Sequence, residues 1–528
     1  MIGFLKAAKA LMGVLAVTFA CIAPAYAEKI LNRSTSNEPS TLDPHLALGN
    51  SSSVIIDDLF VGLMTTDASG QVAYGVAKSH TLDDGGQIYT FTLRDDAVWS
   101  DGKPITSADV VYSFHRLMAP ETAARYAGNL YFLKNGRAVN TGQAPVETLG
   151  VTAPDAKTVV IELEKPVPFF LKVLAGNALA LVPQQSIEAH GNSWARPGNI
   201  VVNGAYDLTG WTPGTKITLT KNNKFWDASK VSIDEVRYFP TQDLGTVIKQ
   251  FRANEIDIAL GFPPEQYPFL QKNYAKQINI SPNLGLFYWV LNTQKAPFDD
   301  VRVRKALYIS IDRDAIAEKL LRGLVDPAWG VVPPASEDYT PPAFPYATVP
   351  FAKRQAEARA LLAEAGYSAK NPLKFKLRYD VKEEVRQISV AMAAMWRQVG
   401  VEAELISSDF RAITNDVRKG DFDVIRYQWY APYDDPTTFL NLVVGGSRTN
   451  FSKINYAPYN ELLVKAEREA DPAERAKILQ QAEAEIMDQY PIIPIYFPKA
   501  KRMISDRVIG WKNIPDGNIP TQYLDLKP

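Results

Sequence analysis

Residues Phe422 to Pro436 read FDVIRYQWYAPYDDP, a short apolar strand running directly into a loop of aromatic and acidic side chains. Upstream, Leu373 to Tyr379 is strand-like and Glu383 to Arg397 is apolar at helical spacing; Val401 to Ile406 is again strand-like, and Phe410 to Lys419 is helical up to a Gly420 stop. Alternating β and α segments form a parallel sheet with helices on its faces. Such sheets hold ligands outside the carboxyl ends of their strands, and the loop Trp429 to Asp435 lies at such an end. The bland alternative is a strand-to-helix connection whose aromatics face a core. Arg426 sits inside the apolar strand and is costly to bury without an anionic or carbonyl partner, so it is expected to meet an acceptor on a ligand.

The start of the chain bears on compartment. Lys6 and Lys9 precede an apolar run from Ala10 to Ile22, and Ala25, Tyr26, Ala27 form a small-x-small exit, the pattern of a cleavable signal peptide over residues 1–27. Cys21, the only cysteine, follows Thr18, Phe19 and Ala20, a poor lipobox, so a free periplasmic protein is expected. The mature chain then lacks disulfides and thiol chemistry, and stability must come from large cores, two to four domains at roughly 100–200 residues each. Losing Lys6 and Lys9 leaves 55 basic against 58 acidic residues, so nothing recruits nucleic acid or anionic lipid. No later apolar run reaches membrane-spanning length, so direct membrane insertion is not expected.

The intervening region is rich in strand signals. Gln87 to Arg94 and Val159 to Leu163 read as strands, and Thr106 with Asp109 forms a capping box for a helix from Ala108 to Met118. Tyr206–Trp211 and Lys216–Lys221 form a hairpin; Val236–Phe239 and Ile256–Leu260 bracket a helix from about Leu244 to Ala253. Val301–Ser310 and Arg313–Arg322 read as paired helices, Lys353–Ala365 as another, and Pro333 to Pro350 as a proline-rich connector.

Enzyme motifs are largely missing: no Gly-x-Ser-x-Gly elbow, His-Glu-x-x-His, P-loop or dinucleotide fingerprint occurs. The histidines, His45, His80, His115 and His190, are isolated in sequence, so neither a metal site nor a cofactor is expected. Asp434 and Asp435 resemble a catalytic carboxylate pair. Adjacent acids before a proline more often cap a helix or bind a cationic ligand group, and a secreted hydrolase remains the remote alternative.

Several stretches together resemble one family. Ala77 to Leu117 (AKSHTLDDGGQIYTFTLRDDAVWSDGKPITSADVVYSFHRL) is similar to the hallmark segment of the extracytoplasmic solute-binding proteins, family 5, of the oligopeptide, dipeptide and nickel type. Leu42–His45 (LDPH), Asn203–Tyr206 (NGAY), Asn292–Ile316, Leu361–Tyr367 (LLAEAGY) and Thr437–Asn441 (TTFLN) follow in that family's order, covering essentially the whole mature chain. The resemblance implies an α/β, bilobal periplasmic-binding-protein fold with two mixed α/β lobes joined by a hinge and an extra inserted domain. Residues 28–60, 185–283 and 500–528 would form lobe I, 61–184 the inserted domain and 284–499 lobe II. It also implies a monomeric, non-enzymatic receptor that closes on an oligopeptide-class ligand and delivers it to an inner-membrane ABC permease.

The family's ligand residues carry over in part. The resemblance implies Tyr126 as a tyrosine presented to the ligand backbone, Arg426 as an arginine that meets a peptide carboxylate or carbonyl, and Trp429 and Tyr430 on a segment pairing with extended peptide. Ala431, Pro432, Tyr433, Asp434 and Asp435 complete the candidate loop. Departures occur where the family binds peptide ends. Pro432 replaces an aspartate that pairs with the α-ammonium, Phe410 replaces a tryptophan, Val417 an arginine, and Leu321 and Val385 stand in for a lysine and a histidine. Either Asp434 or Asp435 substitutes for the missing acid, or the cargo is non-standard: a cell-wall peptide, an N-blocked peptide or an opine-like conjugate.

Overall fold

The computed structural model describes residues 28–527 apart from 369, 516 and 517; the expected signal peptide and its cleavage site lie outside them. The strand read from the opening segment spans Val424–Tyr430. Leu373–Asp380 pairs in parallel with it and with Val401–Ser408, as the β–α alternation requires. The wholly buried strand Gly285–Leu291 runs antiparallel on the other side of Val424–Tyr430, so the parallel expectation holds for one edge of a mixed sheet. Periodicity cannot reveal this neighbour, because it comes from a distant part of the chain.

Gly285–Leu291 pairs next with Ile492–Ile504, a strand of 13 residues with two sets of partners. Its first half lies against Gly285–Leu291 and Val325–Pro327, its second against Ile278–Pro282 and Ile258–Ala259. Beyond Ile258–Ala259 the sheet continues through Ile30–Thr35, Glu235–Pro240, Lys216–Lys221 and Tyr206–Thr212.

Each side of this strand has its own core. One buried cluster draws on residues from Leu284 to Phe497, a second on Leu31 to Ile258 with Ile514 to Leu526, and a third on Leu63 to Leu181. A four-stranded sheet formed by Ala77–Leu82, Ile88–Leu93, Thr158–Glu162 and Val151–Asp155 supports the third. Helix Glu383–Arg397 shows how the pattern builds a core: Val385, Ile388, Met392 and Trp396, three or four residues apart, are its buried face.

The quoted family motifs hold segments together. Asp43 lies 2.5 Å from Arg116 and accepts from the Trp194 indole at 3.0 Å, while burial pushes His45 down to about 3. Asn203 clasps Val61 through both backbone groups at 2.9 Å, and a Cβ on Gly204 would meet the Leu59 backbone at 2.5 Å. The capping box at Thr106 and Asp109 is present. Helix Arg313–Arg322 is not continuous: a turn at Arg313–Ala315 passes into a wide π turn, Ile316–Leu320, closed by Leu321 N–H to Ile316 O. Arg313 is fully buried and donates to the carbonyls of Tyr308, Ala328 and Pro494, so these contacts override helical propensity.

Candidate functional site

Arg426 and Gln428 alternate with Tyr427 and Trp429 across the two faces of their strand. On the Arg426 face lie Phe287 and Gly285 of the antiparallel neighbour. The guanidinium covers the Phe287 ring at 4.2 Å, and its Nη2 donates to Gln428 Oε1 at 2.6 Å. Its Nη1 lies 2.6 Å from Asp380 Oδ2, with side chains exposed by only 2% and 1%. The pair is a close charge contact rather than an aligned hydrogen bond, since Arg426 Nε and Nη1 and Asp380 Oδ2 have no hydrogen-bond partner. Asp380 comes from the carboxyl end of the parallel neighbour Leu373–Asp380.

Phe287 stacks on Tyr496 of the long strand, whose hydroxyl donates to Glu384 Oε1 at 3.0 Å. Lys501, further along that strand, feels the same carboxylate; burial lowers its pKa and Glu384 opposes the shift. At the open edge, Phe410 is 41% and Tyr430 53% exposed. Gly285 lies opposite Tyr430, and a Cβ there would sit 2.7 Å from Pro498 and 2.8 Å from the Tyr430 ring, so only glycine fits.

The loop beyond Tyr430 is tied down residue by residue. Ala431 N–H donates to Leu284 O, Pro432 is exposed, and the Tyr433 ring stacks on Phe169 at 5.1 Å. Asp434 accepts from Ser336 Oγ at 2.7 Å and Glu337 N–H at 3.1 Å, and burial raises its pKa. Asp435, 4% exposed, accepts from both Arg475 terminal nitrogens at 2.8 and 3.0 Å and from Thr437 N–H at 2.9 Å. Both acids are therefore engaged within the protein. Trp429 is half-buried, and its indole nitrogen has no hydrogen-bond partner.

Phe410, Arg426 and Trp429 to Asp435 thus gather along one sheet edge, whereas Tyr126 packs on the cluster of residues 63–181, which Tyr433 also touches. Sequence reasoning missed Asp380, Glu384, Tyr496, Lys501, Phe169 and Arg475. Asp380 carried a usable signal, an acid ending a strand whose alternate residues are apolar; the others become neighbours only through long-range packing. Among the described residues no cluster of His, Cys, Asp or Glu could hold a metal, and no helix is long and apolar enough to cross a membrane.

Two cores sharing one strand, with an aromatic loop at the carboxyl ends of the parallel strands, define a two-lobed binding protein. Residues 71–451 match the family "Bacterial extracellular solute-binding proteins, family 5 Middle", and the chain belongs to it. The periplasmic murein peptide-binding protein MppA of Escherichia coli is 36% identical over 484 residues, covering 91% of this chain and 90% of the relative. The probable deoxycholate-binding periplasmic protein YgiS of the same organism is 36% identical over 491 residues, covering 92% and 91%. The crystal structure of Haemophilus influenzae OppA in complex with the peptide RPPGFSPFR superposes with a TM-score of 0.79 at 30% identity, covering 95% of this chain and 99% of that one.

Proposed function

We propose that the protein is the periplasmic receptor of a peptide-class ABC importer. It is exported with cleavage after Ala27, acts as a monomer without cofactor or catalysis, encloses a peptide or peptide-like ligand between its lobes, and presents it to an inner-membrane permease. Lobe I comprises 28–60, 185–283 and 500–528, the inserted domain 61–184, and lobe II 284–499. The carrying observation is the strand Ile492–Ile504, whose two halves belong to different cores, with the link at residues 283–284 crossing beside it. A ligand that touches both lobes stabilises the closed arrangement by its extra contacts there. Relatives named for murein peptide and oligopeptide support the cargo class. Small-angle scattering tests it: a bound peptide-class ligand should reduce the radius of gyration, and an unchanged profile at saturation counts against lobe closure.

A second reading, cargo without a free α-amine, is favoured by Pro432 together with the internal engagement of Asp434 and Asp435. A relative named for deoxycholate, which has no amine, supports it.

A further inference from the structure

The floor of the candidate site already carries balanced charge. Its cations are Arg426 and Lys501; its carboxylates are Asp380, in contact with Arg426, and Glu384, which acts on both cations. A ligand carboxylate arriving at Arg426 would be a third negative group beside a fully buried Asp380, where low polarity strengthens repulsion. A neutral carbonyl meets no such opposition. It also finds a donor waiting, because Arg426 Nε makes no hydrogen bond within the protein. Access is short: the guanidinium faces Phe410 at 6.0 Å, and Phe410 and Tyr430 are the exposed rings at that edge.

We propose that Asp380 is a specificity-determining residue, standing where a ligand carboxylate would otherwise sit, so that the group received at Arg426 is a neutral carbonyl such as a carboxamide. This rests on the peptide-class reading above and deepens it. The amino-end change at Pro432 is a separate matter, since that loop lies beyond the far end of the strand. Arg426→Ala is a poor probe, because it strands Asp380 as an unpaired buried charge.

The decisive experiment uses mixtures of random-sequence tri- to pentapeptides in four forms: amino end free or acetylated, carboxyl end as free acid or carboxamide. Retention by the wild-type protein is read by native mass spectrometry, and affinities of the retained species by calorimetry. Carboxamides should bind at least about tenfold tighter than their acid twins, whichever amino end they carry. In Asp380→Asn the preference should reverse, with the acids gaining; Asp380→Glu should keep the carboxamide preference. Thermal melts of the ligand-free variants report whether they fold, and if Asp380→Asn does not, the wild-type comparison decides alone. Acids binding as tightly as carboxamides to the wild type overturn the proposal. Retention of no peptide in any form overturns the peptide-class reading, and the proposal with it.

Discussion

By the family resemblance, Pro432 is expected to stand where an aspartate would meet the amino end of a peptide. Its neighbour Ala431 still bonds Leu284, but proline offers neither a charge nor an N–H. Converting Pro432→Asp should raise the affinity of ordinary tri- to pentapeptides by about 1.5–3 kcal/mol, the worth of a charge-assisted hydrogen bond, while their N-acetylated twins gain nothing in calorimetry. Tight wild-type binding that acetylation abolishes would instead give the amine to Asp434, leaving Asp435 to Arg475. At this scale the need of Arg426 for an acceptor was legible, because a guanidinium in an apolar strand demands one. That the chain supplies Asp380 as this acceptor was not, although an acid ending an apolar strand hints at it, since the parallel pairing that joins them spans two intervening helices and a strand.

Among the elements, short-range signals read well. Glu383–Arg397 and Phe410–Lys419 have the boundaries their periodicity indicates, because caps and apolar spacing act within a few turns. The π turn at Ile316–Leu320 and the antiparallel partner of the site strand were hidden, being set by tertiary contacts. Helix Pro472–Met487 illustrates the same limit. It carries Arg475 to Asp435 and also buries Glu483, which accepts from Val331 and Val332 N–H at 2.7 and 2.9 Å and from the Tyr339 hydroxyl. Burial nonetheless pushes Glu483 up to about 7. A folded-state value above the usual carboxylate value means the folded protein holds this proton longer, so Glu483 lowers stability progressively as pH rises from about 4.5 to 7, with no penalty below that window. Glu483→Gln should therefore gain on the wild type by on the order of 3 kcal/mol between pH 4 and pH 8. Denaturant melts showing the same difference at both pH values would refute this.

For the whole molecule, the segment around Lys165 to Lys172 reaches directly across to the part of the chain built on the Leu284–Phe497 cluster. Phe169 stacks on Tyr433 and has the Arg475 guanidinium 5.7 Å from its ring centre, Lys172 pairs with Glu337 at 2.7 Å, and Lys165 pairs with Glu467. The two ion pairs are partly exposed and contribute little, so the ring contact dominates. Phe169→Ala should raise the ligand dissociation rate about two- to tenfold in stopped-flow measurements, with association nearly unchanged. An unaltered dissociation rate in a folded variant would make the contact static packing. This bridge was not legible: Tyr433 reads as part of the candidate ligand loop, and nothing local marks Phe169, far away in sequence, as its stacking partner.

Gly285 touches the ring of Tyr430 on one side and Pro498 of the long strand on the other, with no room for a methyl group. At that point the candidate loop and the long strand shared by the two cores are separated by the thickness of a backbone. A lever with so short an arm leaves little slack: bending near Pro498 displaces Tyr430 by a comparable amount, and a cargo pressing on Tyr430 pushes back on the bend. Occupancy and shape are then one mechanical variable, and a bend between the two cores carries the same information as a filled site.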